Sequence, residues 1–192
     1  MSNDDQFIDD LFEEPEKKKK IKSGAKGKGA EREIAKTLNE RFAKILAAHP
    51  TWGQFSRSVG SGNRWGQQVV LSEQAKQVYS GDLTCPEHFN FVIESKKGYN
   101  DIDLITAFTG KCGGLDEFLK QVEDDSKRVG REPILIWKKD RKPALAFLKC
   151  KPGELQVRLI NEGLNPIFMS YLEWSVVTFD DILKLPDDFW FN

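Results

Sequence analysis

Apolar residues recur at helical spacing from 30 to about 48, where Ile34, Ala35, Leu38, Phe42, Ile45 and Leu46 form one stripe. Gly27 and Gly29 precede this predicted helix, and His49-Pro50 ends it. The period then changes. Residues 54–59 predict a short strand running into the glycine-rich stretch 60–66, and 67–78 are polar with helical character. Residues 79–83 and 89–96 predict strands joined by a turn at Pro86. Helices are predicted over 101–108 and 115–129; the second keeps Leu115, Phe118, Leu119, Val122 and Val129 on one side and stops at Gly130. Strands are predicted over 133–137 and 144–148 around the turn 138–143, and again over 155–160 and 174–179, before the aromatic ending that contains Phe189, Trp190 and Phe191.

Composition narrows this picture. A chain of 192 residues, 39% of them hydrophobic, buries one good core, so one α/β domain with appended pieces is expected. The 29 Lys and Arg nearly cancel the 30 Asp and Glu, so no global positive field announces a nucleic-acid partner. Charge is instead segregated at the start: acids from Asp4 to Glu16 precede lysines from Lys17 to Lys28. Blocks of like charge with few apolar residues do not offset the entropy of ordering, so 1–28 is expected to be a disordered charged tail, with 29–149 as the core and 150–192 as an extension packed on it. Within the tail, the acidic-aromatic segment 7–14 is either a solubilising stretch or a docking peptide for a protein partner. Three scattered cysteines and two histidines assemble no zinc-type spacing, and the cysteines are expected to be reduced thiols of a cytoplasmic protein. No apolar run reaches the roughly 18 residues of a membrane span, so no membrane partner is expected.

Candidate chemistry sits where the apolar pattern is broken. On a wheel of about 100° per residue, Leu38, Phe42, Ala35 and Ile45 all fall within about 40° of Glu31, which puts a carboxylate in the middle of the core-facing stripe. Glu33 falls on the opposite side. In the strand 89–96, Glu94 and Lys96 share a face, and Asp82 precedes that strand across a turn that can return it to the Glu94 end. Two carboxylates about 4 Å apart repel by roughly 4 kcal/mol at an effective dielectric near 20, so three such acids brought together require a cation. Oxygen donors without sulfur suit a hard ion, Mg²⁺ first and Mn²⁺ as its substitute. Lys96 beside it would orient the attacking water or steady charge on a phosphate oxygen. Taken singly, each feature has a plainer reading: a helix-dipole partner for Glu31 and a cross-strand ion pair for Glu94 and Lys96. Arg64 and Trp65 in the glycine-rich stretch offer a cation and a stacking ring for DNA, or else a turn capped by a packed ring. Lys97 joins a local basic rim for a phosphate backbone.

In their order along the chain these residues resemble the PD-(D/E)XK nuclease superfamily, and within it the archaeal-type Holliday-junction resolvases. The matching stretches are Gly29-Ala30-Glu31-Arg32-Glu33, then Arg57-Ser58-Val59-Gly60-Ser61, then Asp82 and Glu94-Ser95-Lys96, over roughly 24–149. The resemblance implies a restriction-endonuclease-like mixed central sheet flanked by helices, a divalent-metal site at Asp82 and Glu94 with Glu31 assisting, and Lys96 as the catalytic lysine. It also implies that Arg32, Arg57 and Ser61 are active-site neighbours or phosphate contacts. Gly81 stands where the signature has proline, an insert fills 63–80, and about forty residues follow Lys149. The expected activity is Mg²⁺-dependent phosphodiester hydrolysis, on a Holliday junction or other branched DNA, by a homodimer. A phage-encoded enzyme working in the host cytoplasm fits this pattern. The alternatives are a DNA-processing nuclease of other specificity, restriction-like or recombinational, and a catalytically idle nuclease fold acting as a DNA-binding adaptor.

Overall fold

The computed structural model describes residues 23–58, 81–151 and 153–192. The first helix, α1 (Ser23–Arg41), begins earlier than the pattern predicts and runs through Gly27 and Gly29. Each glycine costs a helix about 1 kcal/mol relative to alanine, a penalty that burial of Ala30, Ile34, Ala35 and Leu38 on the same helix offsets. Phe42 interrupts the helix at φ −102° and ψ 16°, and α2 (Ala43–Ala48) continues to the predicted stop.

Two very short strands, β1 (Ser56–Arg57) and β2 (Leu83–Thr84), pair antiparallel with each other. A five-stranded mixed sheet follows, in spatial order β3 (Phe91–Lys97), β4 (Glu132–Lys138), β5 (Ala144–Lys149), β7 (Trp174–Thr178) and β6 (Met169–Tyr171). Only β3 and β4 are parallel, and their crossover is α3 (Gly113–Val129), closed by Gly130 in the left-handed conformation as its C-terminal stop. The segment predicted as a helix over 101–108 is a short 3-10 helix, Leu104–Thr109, capped by Asp103. The run at 155–160, predicted as a strand, is instead helical: α4 (Glu154–Asn161) buries Leu155 and Leu159, spaced by one helical turn, and leaves Val157 and Ile160 exposed.

Strand alternation divides the core in two. Phe91 and Ile93 of β3, Ile134 and Ile136 of β4, and Ala146 and Leu148 of β5 face α1. Val92, Leu135, Trp137 and Phe147 face α3. On the α1 side Phe42, Phe55, Phe89, Trp190 and Phe191 form an aromatic cluster with ring centroids 4.8–6.4 Å apart. The closing aromatic residues therefore lie in the core; Trp190, on α6 (Asp187–Trp190), is fully buried, and Phe191 pairs with Phe89 in an isolated bridge. Between β7 and α6 lies α5 (Phe179–Ile182). Arg41 fastens this end of the chain to α1: its guanidinium donates to the carbonyls of Leu183 and Leu185 and to Asp187 at 2.6–2.9 Å. No helix among the described residues is long and apolar enough to cross a membrane.

Candidate active site

The site lies where β2 meets the outer edge of β3. Asn39 on α1 positions β1, donating to the Phe55 carbonyl and accepting from the Phe55 amide at 2.8 and 3.0 Å. Ser58 then donates its amide to the Asp82 carbonyl, and Asp82 donates its own to the Ile93 carbonyl, both at 2.9 Å. The Asp82 carboxylate accepts from the Ser95 amide at 3.0 Å. Three hydrogen bonds thus fix Asp82 beside the residue that follows Glu94. This approach is possible only because of Gly81, which has φ +74° and whose Cβ would stand 2.5 Å from the Ile93 carbonyl oxygen. Proline, held near φ −65°, cannot take this conformation, which accounts physically for the departure from the signature.

Alternation along β3 sends Glu94 and Lys96 to the α3 side and Ser95 and Lys97 to the α1 side. Glu94 is 1% exposed. Its Oε1 accepts from Lys96 and from the Gln121 amide on α3, while the Gln121 carbonyl oxygen accepts from Lys96 at 3.0 Å. The Lys96 ammonium also lies 5.4 Å from the centre of the Phe118 ring. Burial, reinforced by the nearby charge of Asp82, pushes the Glu94 carboxyl up to about 8. Burial works against the Lys96 ammonium, yet the bonded Glu94 and the charge of Asp82 outweigh it and raise its pKa. The charge of Asp82 acts on both groups in the same direction, raising each.

Glu31 reaches the same edge from α1. It is buried, pairs with Arg57 of β1, and has its pKa raised by burial and by Asp82 against the pull of that arginine. Among the described residues no three His, Cys, Asp or Glu side chains gather at metal-ligand spacing. The remaining pair, Asp82 and Glu94, is a donor set that fits a hard divalent ion. Mg²⁺ is ordinarily held by one or two carboxylates, with water and phosphate oxygens completing its shell, and the mutual repulsion of Asp82 and Glu94 is relieved by a cation.

Of the other predicted residues, Arg32 is exposed on α1, and Lys97 lies 3.7 Å from Glu33. Glu33, predicted to face away from the core, is exposed and also pairs with Lys138 at 2.9 Å. Ser61, Arg64 and Trp65, and the acidic segment 7–14, lie outside the described residues. Two neighbours of the site do not stand out in the pattern. Gln121 reads as an ordinary solvated position on a helix. Asp125, one turn further along α3, is 5% exposed, bonds Arg128 at 2.8 Å, and has its pKa raised chiefly by burial. A signal for Asp125 does exist in the sequence, since it falls between Val122 and Val129 on the buried stripe just as Glu31 falls on its own.

A mixed sheet with an acid-acid-lysine edge between two helices defines a restriction-endonuclease-like nuclease fold. The family described as "Phage putative PDDEXK endonuclease" matches residues 22–186, and the chain belongs to that family. No curated protein and no solved structure matches the chain.

Proposed function

We propose that the protein is a divalent-metal-dependent endodeoxyribonuclease that hydrolyses phosphodiester bonds in branched DNA, with the Holliday junction as the first substrate to test. The observation that carries this reading is the convergence of Asp82, Glu94 and Lys96 at one desolvated strand edge, with Glu31 approaching from α1. Asp82 and Glu94 would hold the ion, Mg²⁺ or Mn²⁺, which when bound supplies Lewis-acid stabilisation of phosphate charge and a more acidic water. Lys96 keeps its proton next to Glu94, so it offers a fixed positive charge and a hydrogen-bond donor to the attacking water or a phosphate oxygen. Gln121 bridges the acid and the amine without adding charge. Arg57, and Arg32 beside Glu31, are suited to phosphates of the same strand. Two cuts on a symmetric junction call for a homodimer, and the family description supports a phage enzyme working in its host.

The test compares matched four-way junction, flap, single-stranded and linear duplex DNA with Mg²⁺ or Mn²⁺. Paired symmetric nicks confined to the junction support the resolvase; uniform degradation leaves a nuclease of other specificity. Intact DNA on every substrate removes the enzyme and leaves a DNA-binding adaptor on the same fold.

A further inference from the structure

The turn between β4 and β5 begins beside the candidate active site and takes no part in it. In the parallel register of β3 and β4, Lys96 pairs with Trp137 and Lys97 with Lys138, so the turn leaves the sheet at the same end as the acid-acid-lysine edge. With neighbouring strands about 4.8 Å apart and a rise of roughly 3.3 Å per residue, its tip lies within about 15 Å of Lys96, a few base pairs of duplex.

This turn is held rigidly. Gly98 donates its amide to the Lys138 carbonyl at 3.0 Å, and the Trp137 indole donates to the Gly98 carbonyl at 3.1 Å. Asn100 and Asp140 bond each other twice, side chain to side chain and side chain to amide, each at 2.9 Å. Lys139 caps the Ile102 carbonyl and lies over the Trp137 ring at 5.3 Å. What the turn presents outward is Arg141 and Lys142, both exposed and both without a charge or hydrogen-bond partner for their side chains among the described residues. Arg141 has φ +60°, a left-handed conformation that glycine or asparagine takes at lower cost, so the arginine sits here against its backbone preference. A groove of about 170 Å³ on the α1 face of the sheet is lined by Lys138 and Lys142, by Glu33 and Asp180, and by Ser95, whose buried hydroxyl has no hydrogen-bond partner among the described residues.

We infer that this turn is a phosphate clamp: Arg141 and Lys142 grip the backbone of duplex DNA flanking the bond presented to β3. The inference rests on the endonuclease reading and adds to it a surface outside the matched motifs. Two fixed cations close to a cleaving edge, with no internal partner to give up, meet a polyanion at low desolvation cost and select no sequence.

The test measures duplex binding by the full chain, in chelator so that no cutting occurs, across a range of salt. The double variant Arg141→Gly/Lys142→Ala is expected to weaken binding equally on unrelated sequences and to flatten the plot of log affinity against log salt by roughly 2, about 0.9 for each phosphate that is no longer neutralised. Arg141→Lys should keep the wild-type slope. Arg141→Gly alone should melt no lower than wild type, because glycine accepts the left-handed backbone, so misfolding does not account for weakened binding. An unchanged slope in the double variant, while wild-type protein binds and cuts DNA, overturns the clamp and leaves the nuclease standing. Wild-type protein that neither binds nor cuts any DNA overturns both.

Discussion

The first three residues of β3, Phe91, Val92 and Ile93, sit within the two hydrophobic clusters, and the fourth, Glu94, is equally buried but carries a carboxyl group. Before Phe91 the neighbourhood is aromatic: Phe89 stacks on Trp190 at 5.8 Å and meets Phe191 edge-on at 5.4 Å. Beyond Ile93 it is ionic, with Asp82, Glu94, Lys96 and Gln121 compressed into one edge. The contrast shows how a single strand supports a costly cluster. Burial at one end supplies the stability that the charged end consumes, and the ladder between them keeps the acids in place.

The largest expected effect of breaking this arrangement is at the charged end. Asp82→Asn, Glu94→Gln and Lys96→Ala should each reduce DNA cleavage by about 10³-fold or more while leaving DNA binding largely intact, measured by nicking rate and gel shift. At the aromatic end, Trp190→Ala should cost about 3–5 kcal/mol in denaturant unfolding, since it empties a fully buried site. Trp190→Phe sharpens the point. The Trp190 indole N–H is buried without a hydrogen-bond partner among the described residues, so phenylalanine should recover most of that loss. Between the two ends, Gly81→Ala should cost about 1–3 kcal/mol and also slow cleavage, because the backbone must shift from the Ile93 carbonyl and take Asp82 with it.

The smallest effect is a pH dependence. Glu94 has a folded pKa near 8, raised from 4.5, so between those values the folded protein holds a proton that the unfolded chain does not. Stability of the metal-free protein from this group is therefore full below about 4.5 and falls as pH rises through about 8. Glu94→Gln should flatten that decline in thermal melts, and added Mg²⁺ should flatten it in the wild type while releasing protons, seen as a buffer-dependent heat of binding.

Much of this was legible in the chain. Glu31 and the Glu94-Ser95-Lys96 run break apolar patterns of known period, so their faces follow from geometry alone, and β3, α3, β4, β5 and β7 lie close to where periodicity puts them. The segment at 155–160 was not, because Val157 and Ile160 are apolar yet exposed and blur the one-turn spacing of Leu155 and Leu159. The pattern favoured a solvated helical face for Gln121 over a place near the metal, because its position depends on the distance between α3 and β3, a tertiary quantity. The burial of Trp190 and Phe191 was not legible either, because Phe42 and Phe89 offer them ring faces and edges that short-range spacing does not reveal. The left-handed position of Arg141 is a property of the backbone and is not encoded in its residue type.

The pairing of Phe89 with Phe191, together with the Arg41 links to residues 183–187, has a consequence for the order of folding. During synthesis the acids at 31, 82 and 94 emerge early, but the aromatic end of β3, which anchors the strand that carries Glu94, waits for Trp190 and Phe191. Contacts of such long separation form late, so a nascent chain would carry these acids before it could hold them in register. On the endonuclease reading proposed above, competence to cut would then follow translation of the residues around 190.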